Sequence, residues 1–181
     1  MTSYAEHYLW SDLELFESWL WKIPLSGPLV VEVASGPNIV VPYLLEKLGS
    51  DFTYLSVDIN PGHLRLQTKG LSRKESAYAV QATACCLPVR NSVVDLFVFH
   101  HAVDDILETC GQAGVYDSIG EALRVVQPGG HIVFSHCVFD DDPFTSEISL
   151  EDVEEMLAEF DQTNCDRREA HHQEWLFVEV E

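Results

Sequence analysis

Short apolar runs alternate along this chain with stretches in which apolar residues recur every three or four positions. That is the pattern of strands and helices building a parallel sheet covered on both faces. Ser11-Asp12-Leu13-Glu14 has the form of a capping box, and Leu13, Phe16 and Leu20 follow at helical spacing until Pro24. Leu29-Val30-Val31-Glu32-Val33 is a nearly continuous apolar run, as in a buried central strand. The turn 34–38 follows, and a helix is predicted from about Ile39 to Leu48, stopped by Gly49. A second strand runs from Phe52 to Val57 and ends at Asp58, where Asn60-Pro61-Gly62 breaks the chain. A short polar helix is expected over Leu64 to Lys69, and a third strand over about Tyr78 to Ala82.

The second half continues in the same way. Val93 to Phe99 is the next apolar strand; His100-His101 and a helical stretch around Asp104-Asp105-Ile106 come after it. Val115, Ile119, Leu123 and Val126 form the apolar stripe of a further helix. Pro128-Gly129-Gly130 turns into a strand from His131 to Ser135, and Ser149 caps an amphipathic helix reaching Phe160. Segments around Cys165 to Glu169 and Trp175 to Val180 lack a long crossover between them, so they are expected to pair as an antiparallel hairpin. The expectation is one α/β domain over residues 1–181. It has a seven-stranded, mostly parallel, doubly wound Rossmann-like sheet (core 27–181), an antiparallel C-terminal hairpin, and an N-terminal capping helix within 1–25.

Charge narrows the range of partners. Thirty acidic against ten basic residues give a formal charge of −20, a field that repels phosphate backbones and disfavours nucleic acid as a ligand. A solvated acidic surface is the simplest reading; a basic protein partner or a homodimer is compatible with it. No apolar run has the length of a membrane span, and the N-terminus lacks the charged and apolar regions of a signal peptide, so a cytoplasmic location without membrane attachment is expected. Five cysteines without regular spacing point to reduced thiols rather than a disulfide framework, and no C-x-x-C pair suggests structural zinc.

The chemistry concentrates where strands end. A turn of small residues at Ala34-Ser35-Gly36-Pro37-Asn38 lets a ligand approach the backbone, and Asp58 stands 22 residues beyond Gly36 at the end of the second strand. In doubly wound sheets an acid there matches the two hydroxyls of a ribose. The loop holds only one glycine, followed by Pro37, so the amide cradle that a dinucleotide pyrophosphate needs is missing. A ligand with ribose but no phosphate fits better.

Val31 to Asn38 resembles the first motif of class I S-adenosylmethionine-dependent methyltransferases, and Ser56-Val57-Asp58-Ile59-Asn60 resembles their second. Ala82 to Val89 with Asn91 to Phe97 is similar to the adenine-side loop and fourth strand of that family. Glu121-Ala122-Leu123-Arg124-Val125-Val126-Gln127-Pro128-Gly129-Gly130 is similar to its helix and turn before the fifth strand. The resemblance covers nearly all of residues 27–181. It implies S-adenosyl-L-methionine as cofactor and a small-molecule methyl acceptor. It further implies that Glu32 with Ala34, Ser35, Gly36 and Asn38 holds the methionine end, and that Asp58 holds the ribose with Ile59 beside the adenine. Thr83 and Ala84 would then face the adenine edge, and His100 would lie near the sulfonium methyl.

Three positions depart from the pattern: Ala34 and Asn38 replace glycines, and Thr83 replaces an aspartate. A catalytically silent domain that binds cofactor or a protein partner is therefore the alternative. His100 and His101, just past the fourth strand, are the candidate bases for an acceptor proton. Each lies four residues before an aspartate (Asp104, Asp105), a spacing that also occurs in metal sites, but solvated pairs of this kind are common and no metal is expected. The Asn/Asp-Pro-Pro-aromatic signature of amino-group methyltransferases is absent at Phe99-His100-His101-Ala102, which disfavours DNA-base and glutamine methylation.

Overall fold

In the computed structural model the described residues are 14–24, 28–37, 41, 51–71, 76–137, 148–160, 163–170 and 173–181. Asn38, the Ser11 capping box, the helix expected over 39–48, the stretch 139–144 and His171-His172 lie outside them. In chain order the elements are β1 (Leu29–Val33), β2 (Thr53–Asp58), α1 (Pro61–Leu71), β3 (Ala77–Gln81), β4 (Val94–His100) and α2 (Ala102–Val125). They continue with β5 (Val126–Cys137), α3 (Leu150–Ala158), β6 (Thr163–Ala170) and β7 (Gln173–Val180). The seven strands form one sheet in the order β3-β2-β1-β4-β5-β7-β6. β1 to β5 pair in parallel, whereas β7 is antiparallel to both β5 and β6. The strand order reverses between β1 and β4, so the crevice beyond their carboxyl ends is where an open sheet of this type binds its ligand.

Alternation on the strands divides the core into two layers. Val31, Val33, Phe97, Phe99, Ile132 and Phe134 face α2 and α3, burying Ile106, Val115, Ile119, Val153 and Leu157. Val30, Tyr54, Leu96, Val98, Val133, Trp175 and Phe177 face the opposite way, against Phe16, Trp19 and Leu20 of the helical segment 14–20. Trp19 stacks on Phe177 at 4.5 Å between ring centroids, and Phe16 on Trp175 at 5.2 Å. The N-terminal tryptophan Trp19 is therefore core, whereas Trp21 is exposed.

Two local differences from the sequence reading have physical causes. The Pro128-Gly129-Gly130 turn does not precede the fifth strand but loops out within it: the register jumps from Val94↔Val126 to Leu96↔His131. The two helical stretches after β4 form one element, α2, broken only at Gly111. Among the described residues, no helix is long and apolar enough to cross a membrane.

Candidate functional site

The carboxyl ends of β1, β2 and β3 carry three tight turns, and between them and α2 lies a cavity of about 230 Å³. Ala34, Asp58, Ile59, Thr83 and Ala84 line its sheet side. The facing wall comes from α2, where Asp105, Ile106, Glu108, Thr109 and Cys110 turn inward, and His63 of α1 closes one end. Five of the residues singled out from the sequence thus meet in one place. Glu32, Ser35, Gly36, His100 and His101 are not among the lining residues.

Asp58 is fixed by the backbone around it. Its Oδ2 accepts from the Gly36 amide at 2.9 Å and its Oδ1 from the Asn60 amide at 2.7 Å. His63 Nδ1 stands 3.2 Å from Oδ2. The first of these bonds draws the β1 turn against β2. That turn has left-handed backbone at two positions, Gly36 at φ +59° and Ala34 at φ +46°. Glycine is free at such angles and alanine is strained. Ile59, next along, is half exposed, an apolar side chain at the cavity rim.

Behind this turn lies a buried polar chain. The Tyr54 hydroxyl donates to Glu32, Ser56 donates to Gln67, and the Ser35 and Ser56 hydroxyls are 2.7 Å apart. Gln67 Nε2 donates to the Ser35 carbonyl at 3.3 Å, so α1 is tied through this chain to the β1 turn. Burial pushes the Glu32 carboxyl up to about 8, with the Tyr54 hydroxyl opposing that shift. The same burial, with Glu32 beside it, raises the Tyr54 phenol well above its ordinary value.

Toward β4 and β5 the crevice changes character. The His100 and His101 rings contact edge to face at 4.4 Å, and His100 also lies near Trp175. His101 adopts φ +53°, and its amide donates to both the carbonyl and the hydroxyl of Ser135 at 3.2 Å, which closes the tip of β4 against β5. Burial, with His101 adjacent, lowers the His100 imidazole to about 3. Burial and His136 lower His101 to about 4, with Asp104 acting the other way. Both are neutral at pH 7. Because α2 begins only at Ala102, the expected His100–Asp104 and His101–Asp105 helical pairs do not form as such. Asp104 lies instead 3.4 Å from His136 Nδ1, across the tip of β5. Among the described residues, no three His, Cys, Asp or Glu side chains converge as metal ligands.

Sequence reasoning missed His63, Tyr54, Gln67 and the whole α2 wall. His63 follows Asp58 by five residues in the first turn of α1, a spacing that could have exposed it. Burial and the neighbouring Asp104, Asp58 and Glu108 raise the Asp105 carboxyl above its ordinary value, so the wall facing Asp58 is distinctly acidic.

A family model described as a methyltransferase domain matches residues 31–134. No curated protein matches the sequence. Among solved structures, a SAM-dependent methyltransferase from Aquifex aeolicus superimposes with a TM-score of 0.75 at 16% identity, over 94% of this chain and 93% of that one. A protein from Pyrococcus horikoshii gives 0.75 at 17% identity over 99% and 93% of the two chains. A SAM-dependent methyltransferase from Methanosarcina mazei gives 0.70 at 13% identity, over 90% and 98%.

Proposed function

The chain belongs to the family of class I S-adenosylmethionine-dependent methyltransferase domains, with S-adenosylmethionine as cofactor, and from that premise we propose that it transfers the cofactor's methyl group to a small-molecule acceptor. The observation that carries the placement of the cofactor is Asp58: a carboxylate held by two backbone amides at the edge of the cavity. An ionised carboxylate has about four acceptor positions. Two are taken by amides and one by His63, so a ribose hydroxyl can take the fourth and its neighbour can displace His63.

The cavity suits a nucleoside. At about 230 Å³ it is smaller than pockets that enclose a whole ligand of drug size, so the adenosine end sits within it and the methionine end continues past the β1 turn. Ile59 and Ile106 give the apolar surface that a purine face needs, and Thr83 supplies a hydroxyl at the adenine edge. Asp58, Asp105 and Glu108 favour a ligand with positive charge over a phosphate-bearing nucleotide. Glu32, with Ser35, Gly36 and Ala34, is the part of the chain nearest to where an ammonium group would lie.

When bound, the cofactor supplies a methyl group on a cationic sulfur, which leaves by in-line displacement. This chain's residues have to align the acceptor and keep water out. His100 and His101 serve that task as neutral imidazoles: weakly basic, they hydrogen-bond an acceptor and pass on its proton without storing charge in the crevice.

Calorimetric titration of the pure protein with S-adenosylmethionine and its demethylated product tests the site, with Asp58→Ala as control. Micromolar binding is expected for the wild type, weakened at least a hundredfold in the variant. Equal binding by both proteins would reject Asp58 as the ribose ligand. Formation of demethylated product with a panel of small acceptors then separates a transferase from a domain that binds cofactor without using it.

A further inference from the structure

The helix α2, which forms one wall of the cavity, is interrupted at a single point. Gly111 has φ +70° and ψ −177°, so residues 102–110 and 112–125 are two helices end to end. Directly before the break, Cys110 lines the cavity. Cys85 lies across from it in the turn 83–86, the turn that brings Thr83 and Ala84 to the opposite wall.

Gly114 leaves room for both sulfurs. A Cβ there would lie 3.5 Å from Cys85 Sγ and 3.7 Å from Cys110 Sγ, and only 2.2 Å from Cys110 Cβ, which no side chain tolerates. Cys85 Sγ donates to the Gly114 carbonyl at 3.3 Å, and the two thiols hydrogen-bond to each other. Two cysteines 25 positions apart in sequence are thus side by side across the cavity's adenine end.

We propose that Cys85 and Cys110 form an oxidisable dithiol whose conversion to a disulfide by peroxide ties the two cavity walls together and lowers affinity for the cofactor. The thiol chemistry stands by itself; its effect on affinity rests on the proposed placement of the adenosine. Cys110, the exposed partner, attacks one peroxide oxygen as its thiolate. An S–O bond forms, the O–O bond breaks, and the departing hydroxide takes a proton to leave as water. Cys85 then attacks the Cys110 sulfur: the S–S bond forms, the S–O bond breaks, and the second hydroxide leaves as water with the Cys85 proton. The two thiols lose two electrons and the peroxide gains them. Burial raises the Cys85 thiol, which suits it to the resolving rather than the attacking role.

A disulfide sets the sulfurs about 2.05 Å apart, closer than hydrogen-bonded thiols stand. The break at Gly111 lets residues 102–110 move as a unit toward the 83–86 turn, so the bond narrows the adenine end.

The full-length reduced protein is exposed to hydrogen peroxide, alkylated and mapped by mass spectrometry. S-adenosylmethionine is titrated before oxidation, after it, and after dithiothreitol. The expected result is a Cys85–Cys110 linkage, an affinity at least tenfold weaker, and recovery on reduction. Cys85→Ser is expected to bind as the reduced wild type does and to ignore peroxide, whereas Cys86→Ser still forms the linkage. Absence of that linkage, or a linkage with affinity changed less than twofold, overturns the proposal. Failure of the reduced protein to bind the cofactor at all counts against the cofactor placement instead, and the linkage itself remains measurable without it.

Discussion

The two ends of the crevice are built on opposite electrostatic terms. Over β1, β2 and β3 the site is open, and its carboxylates, Asp58, Asp105 and Glu108, face the cavity. Over β4 and β5 it is closed, and the ionisable groups are imidazoles kept neutral by burial. The first arrangement attracts a cationic ligand. The second excludes charge where a positive sulfur is to become a neutral thioether, so that the environment favours loss of charge. Glu32 stands at the junction, an acid of the binding end that is buried as deeply as the histidines.

Glu32 is where the contrast can be broken most strongly. Its folded pKa of about 8 lies above the ordinary 4.5, so the native state holds a proton that the unfolded chain loses as pH rises. The stability it contributes is fully present below about 4.5 and lost as pH rises through about 8. Glu32→Gln keeps an acceptor for Tyr54 and removes the titration. At pH 7 the variant is expected to be more stable by about 3 kcal/mol in urea unfolding, at 1.36 kcal/mol per pKa unit. Calorimetry should show the same variant binding S-adenosylmethionine more weakly. A variant no more stable than the wild type would mean that Glu32 is ionised and compensated in the native protein.

The histidine end has the opposite slope. His100 and His101 are lowered from 6.5 to about 3 and about 4, so below pH 6.5 the unfolded chain takes up protons that the native state refuses. Stability is level above 6.5 with respect to these groups and falls as pH drops toward their folded values. At pH 5 the cost is about 2 kcal/mol per imidazole. Unfolding between pH 7 and 5 should therefore show a steep acid limb that flattens in His100→Gln. An unchanged limb would locate the acid sensitivity elsewhere.

The fold was legible because both periodicities are clean, and the motif positions proved to be structural joints. Asp95 accepts from the Leu29 amide and from Gln127, pinning β1, β4 and β5 together at the end of the sheet away from the site. Arg124 bonds Glu121, the carbonyls of Leu87 and Val89, and Asn91, while Glu121 takes the Leu87 amide, so α2 clamps the loop that follows the adenine turn. Those interactions join residues more than thirty positions apart, which periodicity cannot foresee. The α2 wall was hidden for a related reason. The sequence shows a helix after β4, but which of its residues reach the cavity depends on where it starts and where it breaks. His101 at φ +53° sets the first and Gly111 the second. The metal-like spacing of His100 with Asp104 presumed a helix through His100, which is in fact the last residue of β4.

The smallest effect tests the binding end where the sequence departs from the family pattern. Ala34 sits at φ +46° in the β1 turn, beside Gly36 at φ +59°, and lines the cavity. Left-handed backbone costs an L-residue roughly 1–2 kcal/mol, and a glycine there returns part of that gain as unfolded-state entropy. Ala34→Gly is therefore expected to stabilise the protein by about 0.5–1 kcal/mol. Removing the methyl group also opens the cavity beside Asp58, so affinity for S-adenosylmethionine should rise severalfold in the same calorimetric titration. Stabilisation without tighter binding would show that the strain lies in the turn alone and that the alanine methyl does not limit the ligand. Tighter binding without stabilisation would place the limit in the cavity's shape. If neither changes, the turn already relaxes around the alanine, and the difference in affinity between the two ends of the crevice is set by their charges.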